Sequence, residues 1–128
     1  MKLLLDTNVF IWASVEPVRL TASAKEAILE PGNERFVSLA SLWEMQIKHG
    51  LGKLPLAGQV ELVGRAWCHA LAAEILTVEL SHLAGLYRLP PLHKDPFDRM
   101  IIAQALVEGM ELVSADEVFR SYPVPVVW

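Results

Sequence analysis

Short apolar runs alternate with helical stripes along this chain. Lys2 to Leu5 carries three leucines and is closed by the polar triplet Asp6-Thr7-Asn8, a pattern that predicts a buried strand and a polar turn. Val9-Phe10-Ile11-Trp12-Ala13 predicts a first helix, capped by Asp6, Thr7 or Asn8 and broken at Glu16-Pro17. Thr21 caps a second helix from Ala22 to about Glu30, with Ala24, Ala27 and Ile28 as its inner stripe. A turn at Pro31-Gly32-Asn33 leads into a second strand, Arg35 to Leu39. Ser38 or Ser41 begins the next helix, Leu42 to Gly50, where Leu42, Trp43, Met45 and Ile47 leave few polar positions facing out.

Gly50 to Pro55 reads as a loop. It holds two glycines and a lysine but lacks the spacing of a phosphate-binding loop. Val60 to Ala73 predicts a helix with Leu62, Val63, Ala66, Trp67, Ala70 and Leu71 inside, followed by a third strand from Ile75 to Val78. Ser81 caps the helix His82 to Tyr87, which Leu89-Pro90-Pro91 ends. Asp95-Pro96 then reads as an N-cap and a first-turn proline, and Gly109 as the residue that stops the helix they start. Glu111 to Ser114 is a fourth strand. Val124 to Val127 is a last one, and Pro123 and Pro125 put it at a sheet edge, where a missing N–H costs little.

The chain has 128 residues, 53% of them hydrophobic, which suits a single domain over residues 1–128 and argues against disorder. The formal charge of −4 weighs against coating of nucleic acid by charge alone. It leaves room for an acidic site that holds a cation and meets phosphate through it. Cys68 is the one cysteine, so no disulfide forms within the chain, which fits a reducing cytoplasm. Its neighbours Ala66, Trp67, Ala70 and Leu71 make it a buried structural thiol. The apolar run at Leu3 to Leu5 is too short for a signal peptide or a membrane span.

The candidate chemistry is acidic. Asp6 ends the first strand, and in open α/β sheets ligands sit beyond the carboxyl ends of strands. Thr7 or Asn8 can cap the following helix in its place. Glu44 follows the second strand in the same way. Its alternative is an ordinary helical ion pair with Lys48, worth only about 0.3–0.5 kcal/mol. Asp95 and Asp98 lie in the dense stretch His93-Lys94-Asp95-Pro96-Phe97-Asp98-Arg99. An N-cap accounts for Asp95. A capping box places Glu or Gln at the position of Asp98, so a purely structural role fits it less well. Asp116 lies past the fourth strand, as an N-cap or as a fourth acid. His49, His69 and His82 have no partner at metal-ligand spacing and read as structural or exposed. His93 is the one histidine near the acids.

A parallel sheet brings Asp6, Glu44, Asp98 and Asp116 to one edge. Four carboxylates in one cleft repel one another unless a cation neutralises them. Oxygen-only ligands favour Mg²⁺ or Mn²⁺ over zinc. An ion of this kind acidifies water and stabilises a phosphorane-like transition state, which makes metal-assisted phosphodiester hydrolysis the natural reaction class.

Six motifs in order span almost the whole chain: Leu4-Leu5-Asp6-Thr7-Asn8, Ser41-Leu42-Trp43-Glu44, Gly52-Lys53-Leu54, His93-Lys94-Asp95-Pro96-Phe97-Asp98-Arg99, Ile102-Ala103-Gln104-Ala105 and Leu112-Val113-Ser114-Ala115-Asp116. In these the chain resembles PIN-domain ribonucleases, specifically VapC-type toxins of bacterial toxin–antitoxin pairs. The resemblance implies a three-layer α/β/α sandwich around a mostly parallel sheet, with the active site at its carboxyl edge. It implies that Asp6, Glu44, Asp98 and Asp116 form the acidic quartet that binds Mg²⁺ or Mn²⁺, with Thr7, Asn8 and Ser114 in support and Asp95 outside the quartet. It implies cleavage of single-stranded or loop RNA by a metal-activated water. It also implies a homodimer and a small inhibitory antitoxin protein. Lys48, Lys94 and Arg99 are the candidates for phosphate contact, by sign and position.

Other readings fit less well. A receiver domain needs an acidic pair after the first strand, where Thr7 follows Asp6, and a haloacid-type phosphatase needs an aspartate where Asn8 stands. A PIN nuclease of RNA processing without an antitoxin, and a PIN fold that has lost catalysis, remain the alternatives.

Overall fold

The three leucines of the first strand divide between two cores, and the whole architecture follows from that division. The computed structural model describes residues 1–128. Strand β1 (Lys2–Leu5) is central in a five-stranded sheet of order β3-β2-β1-β4-β5, with β2 at Glu34–Ser38, β3 at Ala73–Leu76, β4 at Glu111–Val113 and β5 at Val126–Val127. Every pairing is parallel; Leu4 sits opposite Phe36 on one side and Leu112 on the other. Parallel strands need crossover connections, and helices supply most of them.

Leu3, Leu5, Val37 and Val113 point to one face of the sheet. There they meet Val9 and Phe10 of α1 (Thr7–Val15), Ala24 and Ile28 of α2 (Ala22–Leu29), Leu42 and Met45 of α3 (Leu39–Gly50), and Val60 and Cys68 of α4 (Val60–Leu71). Leu4 and Leu112 point to the other face. They pack with Ile101, Ile102 and Ala105 of α6 (Pro96–Glu108), and α5 (Leu80–Arg88) lies alongside α6. The result is the expected three-layer sandwich, with a sheet that is wholly parallel.

Several boundaries differ from the sequence pattern, each for a local reason. α1 starts at Thr7 because Asp6 itself is the cap: its Oδ1 accepts from the Val9 N–H at 2.7 Å. β2 passes into α3 without a loop. Ser38 ends the strand, its hydroxyl accepts from the Ala40 N–H at 3.0 Å, and Leu39 is already helical. α4 stops at Leu71 because Ala72 turns left-handed at φ 51°, and β3 begins two residues ahead of the expected Ile75. α5 is capped by Glu79 rather than Ser81, with the Glu79 N–H donating to His82 Nδ1 at 2.9 Å. β5 shortens to Val126–Val127 but keeps its edge position.

The inner stripe expected for α4 is rotated. Val60, Gly64 and Cys68 are buried, while Leu62 is 65% exposed and Ala66 and Ala70 face out. Gly64 explains the rotation: a Cβ there would stand 3.1 Å from Leu42 Cδ2, so the helix closes on α3 at the one position without a side chain. In α3, Trp43 is 62% exposed, so that helix is less enclosed than its composition suggests.

Candidate active site

Each acid of the expected quartet hangs from a different junction at the carboxyl edge of the sheet. Asp6 joins β1 to α1, Glu44 is in the second turn of α3 just after β2, Asp98 is in the first turn of α6, and Asp116 follows β4. The sheet order places β2, β1 and β4 side by side, so these junctions face one another. All four side chains line one cavity of about 190 Å³, together with Thr7, Asn8, Lys48, Asp95 and Ala115.

The carboxylates are held by their own local structure. Asp6 is buried; beside its cap bond to Val9, its Oδ2 accepts from the Ser114 hydroxyl. Ser114 Oγ in turn accepts from the Asp116 N–H at 3.0 Å, tying the end of β4 to the end of β1. Glu44 Oε1 accepts from the Thr7 hydroxyl at 2.7 Å and its Oε2 lies 2.9 Å from Lys48 Nζ. Asp95 caps α6, accepting from the N–H groups of Phe97 and Asp98 at 2.9 and 3.1 Å. Asp116 is exposed and caps a 3₁₀ turn, Glu117–Ser121, accepting from Val118 N–H at 3.0 Å.

The charge balance is lopsided: five carboxylates and one ammonium line the same small space. Burial pushes the Asp98 carboxyl up from its ordinary 3.8 to about 7, helped by the charges of Asp95, Glu44, Asp6 and Asp116. Burial likewise pushes Asp6 up to about 6; the Ser114 and Val9 bonds pull it back, and Asp116 and Glu44 add to the rise. Both shifts have the sign that burial, first, and neighbouring like charges, second, impose on a carboxyl group.

That donor set suits a hard divalent cation, since every candidate ligand is an oxygen. The acids ring the cavity rather than converge, and no three of them meet at a point that would hold an ion directly. An ion seated here has to keep part of its water shell, as Mg²⁺ ordinarily does. The volume allows it, a water occupying about 30 Å³ of liquid.

The three candidate cations separate. Lys48 lines the cavity. Lys94 is exposed and outside the lining, and the Arg99 guanidinium is taken up by Pro90 O at 2.9 Å and the Tyr122 hydroxyl at 3.2 Å. Of the histidines, His82 is fully buried and bonds Glu108 Oε2 at 2.7 Å, and His49 Nδ1 lies 2.8 Å from Leu54 O. His93 Nε2 stands 3.5 Å from Asp98 Oδ2. Sequence pattern missed Tyr122 entirely. Its hydroxyl meets His93 across 29 residues of chain, and no local spacing signals such a contact.

A larger cavity, about 830 Å³, is not the acidic one. It is an apolar groove between α3, α4, β3, α5 and α6, lined by Leu42, Trp43, Val78, Leu83 and Phe97 among others. Trp43 and Phe97, which line this groove, pack edge to face at 5.2 Å and are the chain neighbours of Glu44 and Asp98 in the acidic cavity.

The PIN domain family model matches residues 3–125. Ribonuclease VapC22 of Mycobacterium tuberculosis (strain ATCC 25618 / H37Rv) is 37% identical over 131 residues, covering 98% of this chain and 97% of the relative. Among solved structures, VapBC2 from Rickettsia felis, bound to a DNA fragment from its promoter, superposes with a TM-score of 0.75 at 20% identity, covering 98% of this chain and 97% of that one. VapBC from Salmonella typhimurium, also DNA-bound, gives 0.67 at 18% identity over 98% and 96%, and FitAcB from Neisseria gonorrhoeae gives 0.65 at 20% over 97% and 95%. These structural likenesses speak to the fold.

Proposed function

The chain belongs to the PIN-domain family, and from that premise we propose that it is a VapC-type toxin: a divalent-metal-dependent endoribonuclease restrained by a protein antitoxin. The observation that carries this reading is the gathering of Asp6, Glu44, Asp98 and Asp116 from four separate junctions into one cavity with a large negative excess. Helix capping accounts for Asp6 and Asp116 one at a time, but not for their gathering with Glu44 and Asp98 in one cavity, which costs stability through burial and mutual repulsion. The 37% identity to a protein named as a ribonuclease supports the same activity here.

Asp6, Glu44, Asp98 and Asp116 are the residues we assign to an Mg²⁺ or Mn²⁺ ion. When bound, such an ion supplies a more acidic water and neutralises charge that develops on the phosphate. The protein's part is orientation. Ser114 fixes Asp6 and the Asp116 backbone together, and Thr7 fixes Glu44. Lys48, alone among the cations, is placed to meet an RNA phosphate at the cavity; its ion pair with Glu44 holds it there meanwhile.

The antitoxin, and a second copy of the chain in a homodimer, are further parts of the proposal. The apolar groove beside the cavity, lined by the half-exposed Trp43 and Leu83, is a surface that a protein partner could cover.

The test is cleavage of a labelled structured RNA by antitoxin-free protein with Mn²⁺, with Mg²⁺ and with EDTA, beside Asp98→Asn. Cutting that needs metal and falls at least about 100-fold in the variant is expected, from the weight of a lost ligand in metal-assisted catalysis. Cutting unaffected by EDTA, or retained in Asp98→Asn, would overturn the metal reading.

A further inference from the structure

Next to Asp98, outside the acidic cavity, four polar groups form a closed arrangement. The Tyr122 side chain is buried with the core of the sandwich's second face, and its hydroxyl oxygen meets three nitrogens. The His93 backbone N–H donates to it at 3.2 Å, Arg99 Nη1 donates at 3.2 Å, and His93 Nδ1 lies 2.8 Å away. Arg99 is braced in turn by Pro90 O at 2.9 Å.

Donor and acceptor accounting then settles the state of the neutral imidazole. A phenol oxygen has two acceptor sites and one hydrogen. The backbone N–H and the guanidinium occupy both acceptor sites, so the phenol hydrogen is left to donate to His93 Nδ1. Nδ1 is therefore the unprotonated nitrogen, and the ring proton sits on Nε2. Nε2 is buried and has no hydrogen-bond partner of its own. The acceptor it faces is Asp98 Oδ2, at 3.5 Å, slightly longer than a formed hydrogen bond. No other side chain bonds the Asp98 carboxylate, whereas Asp6 and Glu44 are each pinned by a hydroxyl.

We propose that His93 is the positioning residue of Asp98, its Nε2–H aimed at one carboxylate oxygen by the Tyr122 hydroxyl and the Arg99 guanidinium. The arrangement does for Asp98 what Ser114 does for Asp6 and Thr7 for Glu44. It also gives Arg99 a role in bracing the site rather than in touching RNA. The proposal rests on the metal-nuclease reading, since orienting a carboxylate matters most where that carboxylate is a ligand.

The test reads metal binding without RNA and without turnover. Mn²⁺ is titrated into wild type, Tyr122→Phe, His93→Ala, His93→Gln and Asp98→Asn, each checked for a native near-ultraviolet spectrum and melting curve. Tyr122→Phe keeps the ring and the packing but loses the phenol. Both Tyr122→Phe and His93→Ala are expected to bind Mn²⁺ about tenfold or more weakly, the usual cost of losing an outer-sphere partner. His93→Gln, whose amide N–H reaches the place of Nε2–H, is expected to recover most of the affinity. The ¹⁵N spectrum of the neutral wild-type ring is expected to show the proton on Nε2, and Tyr122→Phe to lose that preference. Unchanged Mn²⁺ affinity in folded Tyr122→Phe and His93→Ala, a proton on Nδ1, or no recovery in His93→Gln would each overturn the positioning role. If wild type binds Mn²⁺ and Asp98→Asn does not, those failures leave the metal site standing. If wild type fails to bind Mn²⁺ at all, the metal reading falls and the positioning role falls with it.

Discussion

Asp6 serves two purposes with one carboxylate. One oxygen starts α1 and the other is held by Ser114, so the residue that begins the first helix also anchors the acidic cavity. The pattern of the chain made these look like alternatives, to be divided among Asp6, Thr7 and Asn8. The structure divides them differently: Thr7 is turned to Glu44 and Asn8 lies exposed at the cavity. Ser114→Ala removes the bond to Asp6 and the acceptor for the Asp116 N–H. We expect a loss of about 1–2 kcal/mol in chemical unfolding, the scale of one or two buried hydrogen bonds.

The raised acids set a pH dependence whose sign is fixed. Asp6 and Asp98 bind protons more tightly folded than unfolded, at about 6 and 7 against an ordinary 3.8. Their contribution is fully present below about pH 4 and is lost as pH rises through 6 and 7. For Asp6, which is buried, the rise from 3.8 to about 6 corresponds to about 3 kcal/mol at most. Metal-free protein is therefore expected to melt lower at pH 8 than at pH 5, with a shallower slope in Asp98→Asn. Mg²⁺ at pH 8 should restore part of the difference by binding the folded state alone. Calorimetry in EDTA and in Mg²⁺ checks this. A melting temperature that rises between pH 5 and pH 8 in EDTA would contradict it.

Among the elements, the pair α5 and α6 shows how closely backbone approaches are used. Gly85 of α5 faces α6, and a Cβ there would stand 2.7 Å from Val107 Cγ2 and 3.6 Å from Ala103 O. Gly85→Ala is expected to destabilise by about 1–3 kcal/mol in denaturant titration, the range for overpacking. At the far end of α6, Gly109 turns left-handed at φ 67°, as the position of a glycine after a long helical stripe suggested. The N-terminus of α6 was equally legible, because Asp95-Pro96 signals its geometry through local chemistry alone. The face of α4 was not. Leu62, Ala66 and Ala70 make as good an apolar stripe as the buried one, and the choice was made by Gly64 against Leu42, a contact between helices that no single-helix pattern contains. The early start of β3 was hidden for another reason: Ala72 adopts the left-handed conformation that alanine avoids, its N–H bonding the Cys68 and His69 carbonyls that end α4, and no residue type there signals it.

On the scale of the molecule, order along the chain becomes adjacency at the sheet edge. β1 lies between β2 and β4, so residues 6, 44, 98 and 116 come from distant segments yet line one cavity. The acids were readable because each ends or follows an element whose pattern was strong. The bracing of Asp98 was not, since His93, Arg99 and Tyr122 meet only after α6 and the 3₁₀ turn have packed on the second face of the sheet. The apolar groove was also invisible, being made of five elements that each contribute a few side chains.

The central claim is that this cavity is a divalent-cation site. The most direct measurement is anomalous diffraction from a crystal of the protein soaked in Mn²⁺ at pH 8, above the values of both raised acids. A manganese peak is expected inside the cavity, within coordination reach of Asp6, Glu44, Asp98 or Asp116 directly or through water. A well-ordered cavity with no manganese at saturating concentration, or a peak only elsewhere on the surface, would contradict it.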